Sequence, residues 1–304
     1  GGANNDGTVF QISPSGTFTN LHSFSGYPGD GAYPQGRLIE GSDGNFYGTA
    51  RSGGTTNLGS VFRISPSGSF TNLHFFSGSD GGLPVAGLVQ GSDGNFYGTT
   101  EGGGANNDGT VFQISPSGTF TNLHSFSGYP SDGGHPYAPL LQGSDGNFYG
   151  TTYSGGTSNL GSAFRISPGS SFTNLYFFSG SDGGHPYAGV IQGSDGNFYG
   201  TTSAGGASTN CSSGCGIVFK LFVSLNPPAN QISAIQLSDA NIVITIPSVA
   251  CETYQLQFTA DLTSGIWSNI PNASVTNSIG ALLKLTNFGG ALQPHGFYRF
   301  NITP

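Results

Sequence analysis

The chain has 304 residues, a formal net charge of −8 and only 7% charged residues. Its seven Lys plus Arg form no basic stripe, which excludes the footprint of a nucleic-acid binder, and no run of about 18 apolar residues exists to span a bilayer as a helix. Glycine, at 53 residues, would suggest disorder, but aromatics make up 12% and recur at regular spacing, so a core can form.

Residues 1–28 are identical to residues 103–130, so the chain opens inside a repeat. It contains no Met, and the expectation is a processed or incompletely observed extracellular protein whose leader is gone. The stretch Gly-Ser-Asp-Gly-Asn-Phe-Tyr-Gly-Thr begins at Gly41 and returns at Gly91, Gly143 and Gly193, at intervals of 50, 52 and 50 residues. A period in this range marks a repeat architecture. The third copy predicts four strands. Ala138–Gln142 is a short apolar strand, and Gly143-Ser144-Asp145-Gly146 is a tight turn, because Asp-Gly tolerates positive φ. Asn147–Thr152, Ser162–Ser167 and Phe172–Phe178 follow as the second, third and fourth strands.

The third strand places Phe10, Phe62, Phe112, Phe164 and Phe219 at one position, with Ile12, Ile64, Ile114, Ile166 and Leu221 two residues on. Gln11, Arg63, Gln113, Arg165 and Lys220 lie between them, and this alternation is the strand period. Short strands joined by tight turns in units of about 50 residues predict β-propeller blades. A β-solenoid is the alternative, but its coils are much shorter. First, second and fourth strands occur four times each, the third five times. Four blades are expected if the part-blades at the two ends combine, with one third strand left over; five are the alternative if another chain supplies strands. Copies one and three match best, as do two and four, which favours an even ring.

The pattern stops after Val223. Residues 225–230, around Pro227-Pro228, read as a stiff linker, dividing a propeller (1–224) from a second all-β unit (231–304). Its predicted strands are Ile232–Leu237, Asn241–Ile246, Tyr254–Thr259, Ile266–Ile270, Ala281–Thr286 and Gly296–Ile302, and Trp267 is assigned to its core. A small Ig-like β-sandwich is expected.

The run Gly-Ser-Asp-Gly-Asn-Phe-Tyr-Gly-Thr-Thr, then Gly-Gly, then Gly-Ser-Val-Phe-Arg-Ile, resembles the GloVer-type tandem-repeat proteins of bacterial cell surfaces, over residues 1 to about 222. Tyr254-Gln255-Leu256-Gln257, Asp261-Leu262-Thr263, Trp267 and Phe297-Tyr298-Arg299-Phe300 are more loosely similar to small sandwich domains appended to secreted bacterial proteins. The resemblance implies secretion, often with a C-terminal anchor, which this chain, ending at Pro304, does not show. It supplies no catalytic residues.

Among candidate residues, Asp43, Asp93, Asp145 and Asp195 read as turn formers. Asp30, Asp80, Asp132 and Asp182 precede Gly in the loops before the first strands; they read first as loop caps with Pro stiffening the entry, and alternatively as a ring at one mouth that could hold a sugar or cation. Calcium is the cation such a ring could hold, although it takes six to eight oxygens and the carboxylates are not paired; beyond that no cofactor and no metal site is expected. Tyr33, Tyr137 and Tyr187 are the loop aromatics suited to stacking on sugars. His135 and His185 are replaced by Leu83 in copy two, which argues against a metal ring, and His22, His74 and His124 by Tyr176, which points to packing or an edge hydrogen bond. Glu40, Glu101 and Glu252 share no repeat position, so no pair of acids for glycoside cleavage is visible. Cys211 and Cys215 are spaced for a local disulfide, and Cys251 reads as a buried apolar residue. Asn210, Asn272 and Asn301 begin glycosylation sequons.

These features lead to the expectation of a non-enzymatic extracellular structural protein that self-associates into a fibre or surface layer through strand exchange or head-to-tail contacts. The alternatives are a carbohydrate-binding adhesin using the propeller mouth and a secreted polysaccharide-active enzyme.

Overall fold

The computed structural model describes residues 1–207, 214–222, 234–238, 241–247, 253–259, 268–276, 282–287 and 297–303, and among these it is all-β. No helix in them is long and apolar enough to cross a membrane. The chain forms two compact units, Gly1–Ile191 with Tyr199–Lys220, and Gln192–Phe198 with Leu221–Pro304.

The repeats fold as propeller blades. β1 (Thr8–Ile12) and β2 (Phe18–Ser23) form a two-stranded sheet. Three four-stranded blades follow. The first holds β3 (Ile39–Glu40), β4 (Phe46–Ala50), β5 (Ser60–Ile64) and β6 (Phe70–Phe75). The second holds β7 (Val89–Gln90), β8 (Phe96–Thr100), β9 (Thr110–Ile114) and β10 (Phe120–Ser125). The third holds β11 (Leu141–Gln142), β12 (Phe148–Thr152), β13 (Ser162–Ile166) and β14 (Phe172–Phe177). A three-stranded sheet of β15 (Ile191–Gln192), β16 (Phe198–Thr201) and β17 (Val218–Leu221) closes the series. Among the described residues β1–β2 and β15–β17 are separate sheets, so both third strands pair within their own sheets.

Each blade is an antiparallel meander whose hairpins follow the turn chemistry. Asp43, Asp93 and Asp145 accept from the amide two residues on and from the hydroxyl of Tyr47, Tyr97 or Tyr149 at 2.7–2.8 Å. The inner strand is shorter than Ala138–Gln142 predicts, with only Leu141 and Gln142 in the ladder. Pro139 has no amide to donate, and the carbonyl of Ala138 instead accepts from the Thr99 hydroxyl of the preceding blade at 3.3 Å. The same bridge joins Thr49 to Ala86 and Thr151 to Ala188.

Blades pack face to face. Phe62 and Ile64 turn toward the preceding sheet, where they meet Val9 and Phe24. Val61 and Tyr47 turn toward the next, meeting Phe96, Phe112 and Ile114. Tyr47 stacks on Phe96, and Tyr97 on Phe148, with centroids 3.9 Å apart. Within the second blade Gly98 leaves room for the ring of its strand partner Phe112, since a Cβ there would lie 2.6 Å from Phe112 Cζ. In β1–β2 no sheet among the described residues covers the face equivalent to Phe112, Ile114 and Phe120, and Phe10, Ile12 and Phe18 are exposed.

In the second unit, β18 (Ala234–Ser238), β19 (Asn241–Pro247) and β22 (Leu282–Asn287) form one three-stranded antiparallel sheet. β21 (Ser268–Thr276), β20 (Thr253–Thr259) and β23 (Phe297–Thr303) form another, with Leu256 and Ile270 buried. Six predicted strands are thus six observed strands in two small sheets. The proposed linker 225–230, Cys251 and Trp267 lie outside the described residues.

Candidate functional site

Four loops enter the inner strands along one backbone path. Tyr33, Leu83, His135 and His185 adopt φ of 53–58°, and their amides bond the carbonyls of Asp6, Leu58, Asp108 and Leu160. Two residues on, past a proline, come Gln35, Val85, Tyr137 and Tyr187. A second series, Arg51, Glu101, Tyr153 and Ser203, follows the second strands, and each donates its amide to the carbonyl of Tyr33, Leu83, His135 or His185. The frame therefore sets two repeating positions side by side at the same end of every blade.

Side chains from four sheets meet there around a cavity of about 460 Å³ lined by Gln35, Arg51, Val85, Glu101, Tyr137 and Tyr187. Arg51 Nη2 lies 3.3 Å from Glu101 Oε2. The Tyr137 hydroxyl donates to Glu101 Oε1 at 3.2 Å. Burial, then the charge and hydrogen bond of Glu101, push the Tyr137 phenol up to about 12, so it stays protonated as a donor at neutral pH. Tyr137 and Tyr187 stack with centroids 4.8 Å apart and planes 14° apart. Tyr153 meets both edge-on, at 5.4 and 5.8 Å, and stacks against His185 at 4.6 Å. His185 Nδ1 donates to the Tyr153 carbonyl and His135 Nδ1 to the Glu101 carbonyl, each at 2.9 Å. The arrangement offers an aromatic platform, a cation, one carboxylate acceptor and a phenol donor.

Tyr137 and Tyr187 are brought together as the sequence suggested, but Tyr33 does not join them. Its backbone path is that of His135, and it lines a separate cavity of about 440 Å³ with Asn5, Asp6 and Thr8. The residue equivalent to Tyr137 in that loop is Gln35.

Asp30, Asp80, Asp132 and Asp182 cap their own loops, as the first of their two readings has it. Asp30 accepts from the Ser25 amide at 2.7 Å and from His22 Nε2 at 2.7 Å; Asp80 accepts from Ser77 and His74, and Asp132 from Ser127 and His124. Asp182 accepts from Ser179 and the Tyr176 hydroxyl. None of the four lines the 460 Å³ cavity. The reason is local: the fourth strand supplies donors beside each Asp, several residues before the loop reaches the cavity. Burial pushes the Asp30 carboxyl up, but its bonds to Ser25 and His22 outweigh that and hold it below its usual value. His22, His74 and His124 also lie flat on Phe70, Phe120 and Phe172 of the next blade, at 3.7–3.9 Å, so they join strand to loop and blade to blade.

Among the described residues no group of three or more His, Cys, Asp or Glu could hold a metal ion. Cys215 is disulfide-bonded; Cys211 and Asn210 lie outside the described residues. Asn272 falls in β21 and Asn301 in β23.

Sequence reasoning missed Arg51, Glu101, Tyr153, Gln35 and Val85. A signal for them was present. Where the frame repeats Phe, Tyr, Gly and Thr copy after copy, these positions read Gln, Val, Tyr, Tyr and Arg, Glu, Tyr, Ser. Only the structure shows that six of these eight residues line one cavity, with Tyr153 packed against its tyrosines.

No curated protein matches the chain. Solved structures similar to it include a gluconolactonase from Xanthomonas campestris, 15% identical, covering 80% of this chain and 77% of that one at a TM-score of 0.44. A candidate 6-phosphogluconolactonase from Bacteroides uniformis is 12% identical, covering 93% of this chain and 96% of that one at a TM-score of 0.45. The expectation of a non-enzymatic fibre or surface-layer subunit does not stand against these comparisons, whose proteins carry enzyme names, and it is withdrawn. A family model described as the Gloeobacter/Verrucomicrobia repeat matches residues 1–136 and 68–230. The chain belongs to the Gloeobacter/Verrucomicrobia repeat family, which implies a bacterial origin.

Proposed function

We propose that the repeat domain recognises a carbohydrate, a polyhydroxylated ring ligand, at the cavity between Tyr187, Tyr137, Glu101 and Arg51, and that it does so outside the cell. One observation carries this reading: at two positions where near-identical repeats diverge, six of the eight residues line a single cavity. Frame residues recur because every blade interface poses the same packing problem. Residues that differ from blade to blade face something without the repeat's symmetry, and a small bound molecule fits that description. Their chemistry suits a sugar, whose C–H face stacks on an aromatic ring while its hydroxyls need both donors and acceptors. The disulfide at Cys215 agrees with an oxidising compartment, and surface glycans are the partner class this implies.

The test is titration calorimetry against a panel of mono- and oligosaccharides, with each sample also assayed for turnover, since Glu101 is an ionisable acceptor on the cavity wall. Wild-type protein binds at least one member, Tyr187→Ala weakens that binding tenfold or more, and Tyr33→Ala leaves it unchanged. Binding that survives Tyr187→Ala, or no binding across the panel, overturns the reading.

A further inference from the structure

Resting on that reading, we propose that Arg51 and Glu101 form a clasp for two adjacent hydroxyls of one sugar ring, so that the preferred ligand is a neutral pyranose rather than a uronic acid or a sugar phosphate. The two side chains come from the same repeat position in neighbouring blades, and equivalent amide-to-carbonyl bonds hold them, Arg51 to Tyr33 and Glu101 to Leu83. A cation and an anion are thus presented as neighbours by the frame itself.

Their mutual contact leaves hydrogen-bonding capacity unused. It is a single bond of 3.3 Å, not a two-pronged fork, and charge-assisted bonds of this type close to about 2.7–2.9 Å. A guanidinium has five N–H donors, and this contact engages one of them. The Glu101 carboxylate accepts one bond on each oxygen, from Arg51 at 3.3 Å and Tyr137 at 3.2 Å, and a carboxylate has room for about four. The Arg51 side chain is 36% exposed and that of Glu101 20%, so both reach the cavity. One ring hydroxyl can accept from Arg51 while its neighbour donates to Glu101, which is the donor–acceptor pair that a vicinal diol requires.

Charge and shape narrow the ligand further. The pair is neutral overall, so a carboxylate or phosphate on the sugar would gain Arg51 but also meet the Glu101 carboxylate 3.3 Å from it. Tyr187, 60% exposed, packs one face on Tyr137 and leaves the other for the C–H face of a pyranose. Val85 adds an apolar wall on the same cavity.

The experiment measures binding of methyl glucoside, galactoside and mannoside, their monodeoxy derivatives, and glucuronate and galacturonate to the full chain by calorimetry. The variants are Glu101→Gln, Arg51→Lys and Tyr187→Ala, each checked for an unchanged melting curve. Expected is tightest binding to a neutral glycoside, with about a 10–100-fold loss on deleting either hydroxyl of one adjacent pair, and a similar loss in Glu101→Gln and Arg51→Lys. Glu101→Gln should also narrow the gap between neutral sugar and uronate. A uronate that binds as tightly as the neutral sugar overturns the clasp, as does neutral-sugar affinity indifferent to Glu101→Gln and Arg51→Lys. If that affinity still depends on Tyr187, only the clasp fails; if it is indifferent to Tyr187 as well, the mouth itself is the wrong site.

Discussion

Phe10 and Phe112 occupy the same place in two identical 28-residue stretches, yet one is 52% exposed and the other 0%. Truncating each to Ala therefore isolates tertiary context from local sequence. Phe112 packs edge-on against Phe76 at 5.3 Å and stacks on Phe120 at 5.4 Å, beneath the face of the preceding blade. Removing a fully buried phenyl ring forfeits its transfer free energy and leaves a cavity, at a cost of about 3–5 kcal/mol. Phe10 keeps one stacked neighbour, Phe18 at 5.4 Å, and already faces water, so its loss should cost under about 1 kcal/mol. In a domain of this size about 1 kcal/mol corresponds to a shift of about 2–4 °C, which places Phe112→Ala about 6–20 °C below wild type and Phe10→Ala within about 4 °C. Urea titrations and thermal melts of the two variants, run in parallel, give the comparison. Equal destabilisation would refute the reasoning, because it would mean that the β1–β2 face is covered in solution as β9–β10 is.

Two further outcomes follow from the packing. Gly98→Ala places a Cβ 2.6 Å from Phe112 Cζ and 2.8 Å from Leu88 Cδ2, and should cost about 1–3 kcal/mol by denaturant titration, while an unchanged midpoint would contradict the packing around Phe112. Burial lowers the pKa of His74 below its ordinary 6.5 and outweighs the pull of Asp80. The unfolded state therefore binds the proton more readily: His74 contributes its full stability above pH 6.5 and loses it as the pH falls through the folded-state value. Melting temperature should fall from about pH 7 to about pH 5, and His74→Gln should flatten that slope, whereas an unaltered slope would dissociate it from His74.

Strand identity, hairpin position and antiparallel pairing were legible because they depend on contacts a few residues apart. The alternation Val-Phe-Gln-Ile sets the faces of β1 and β9 alike, and Asp-Gly turns form wherever they occur. The paired register of β1 with β2, Phe10 opposite Asn20 and Ile12 opposite Phe18, repeats in β9 with β10. The inner strands were overextended in the reading because a side-chain bridge from another blade, Thr99 to Ala138, replaces ladder bonds that sequence spacing leads one to expect. The capping role of the loop Asp was legible for the same local reason as the turns, since Asp132 finds its partners Ser127 and His124 within eight residues.

What the sequence determined by itself is the blade: its four strands, its turns and the number of times it recurs. What only the tertiary structure decided is which copies of one residue are buried and which diverging residues meet. Residues 1–28 and 103–130 are the same string, so nothing local can distinguish Phe10 from Phe112; the neighbouring sheet does. Arg51, Glu101, Tyr137 and Tyr187 lie up to 136 residues apart along the chain, and no spacing rule joins them. They meet because the repeats hold the same two positions side by side at one end of each blade, and burial and convergence are properties of the assembled sheets.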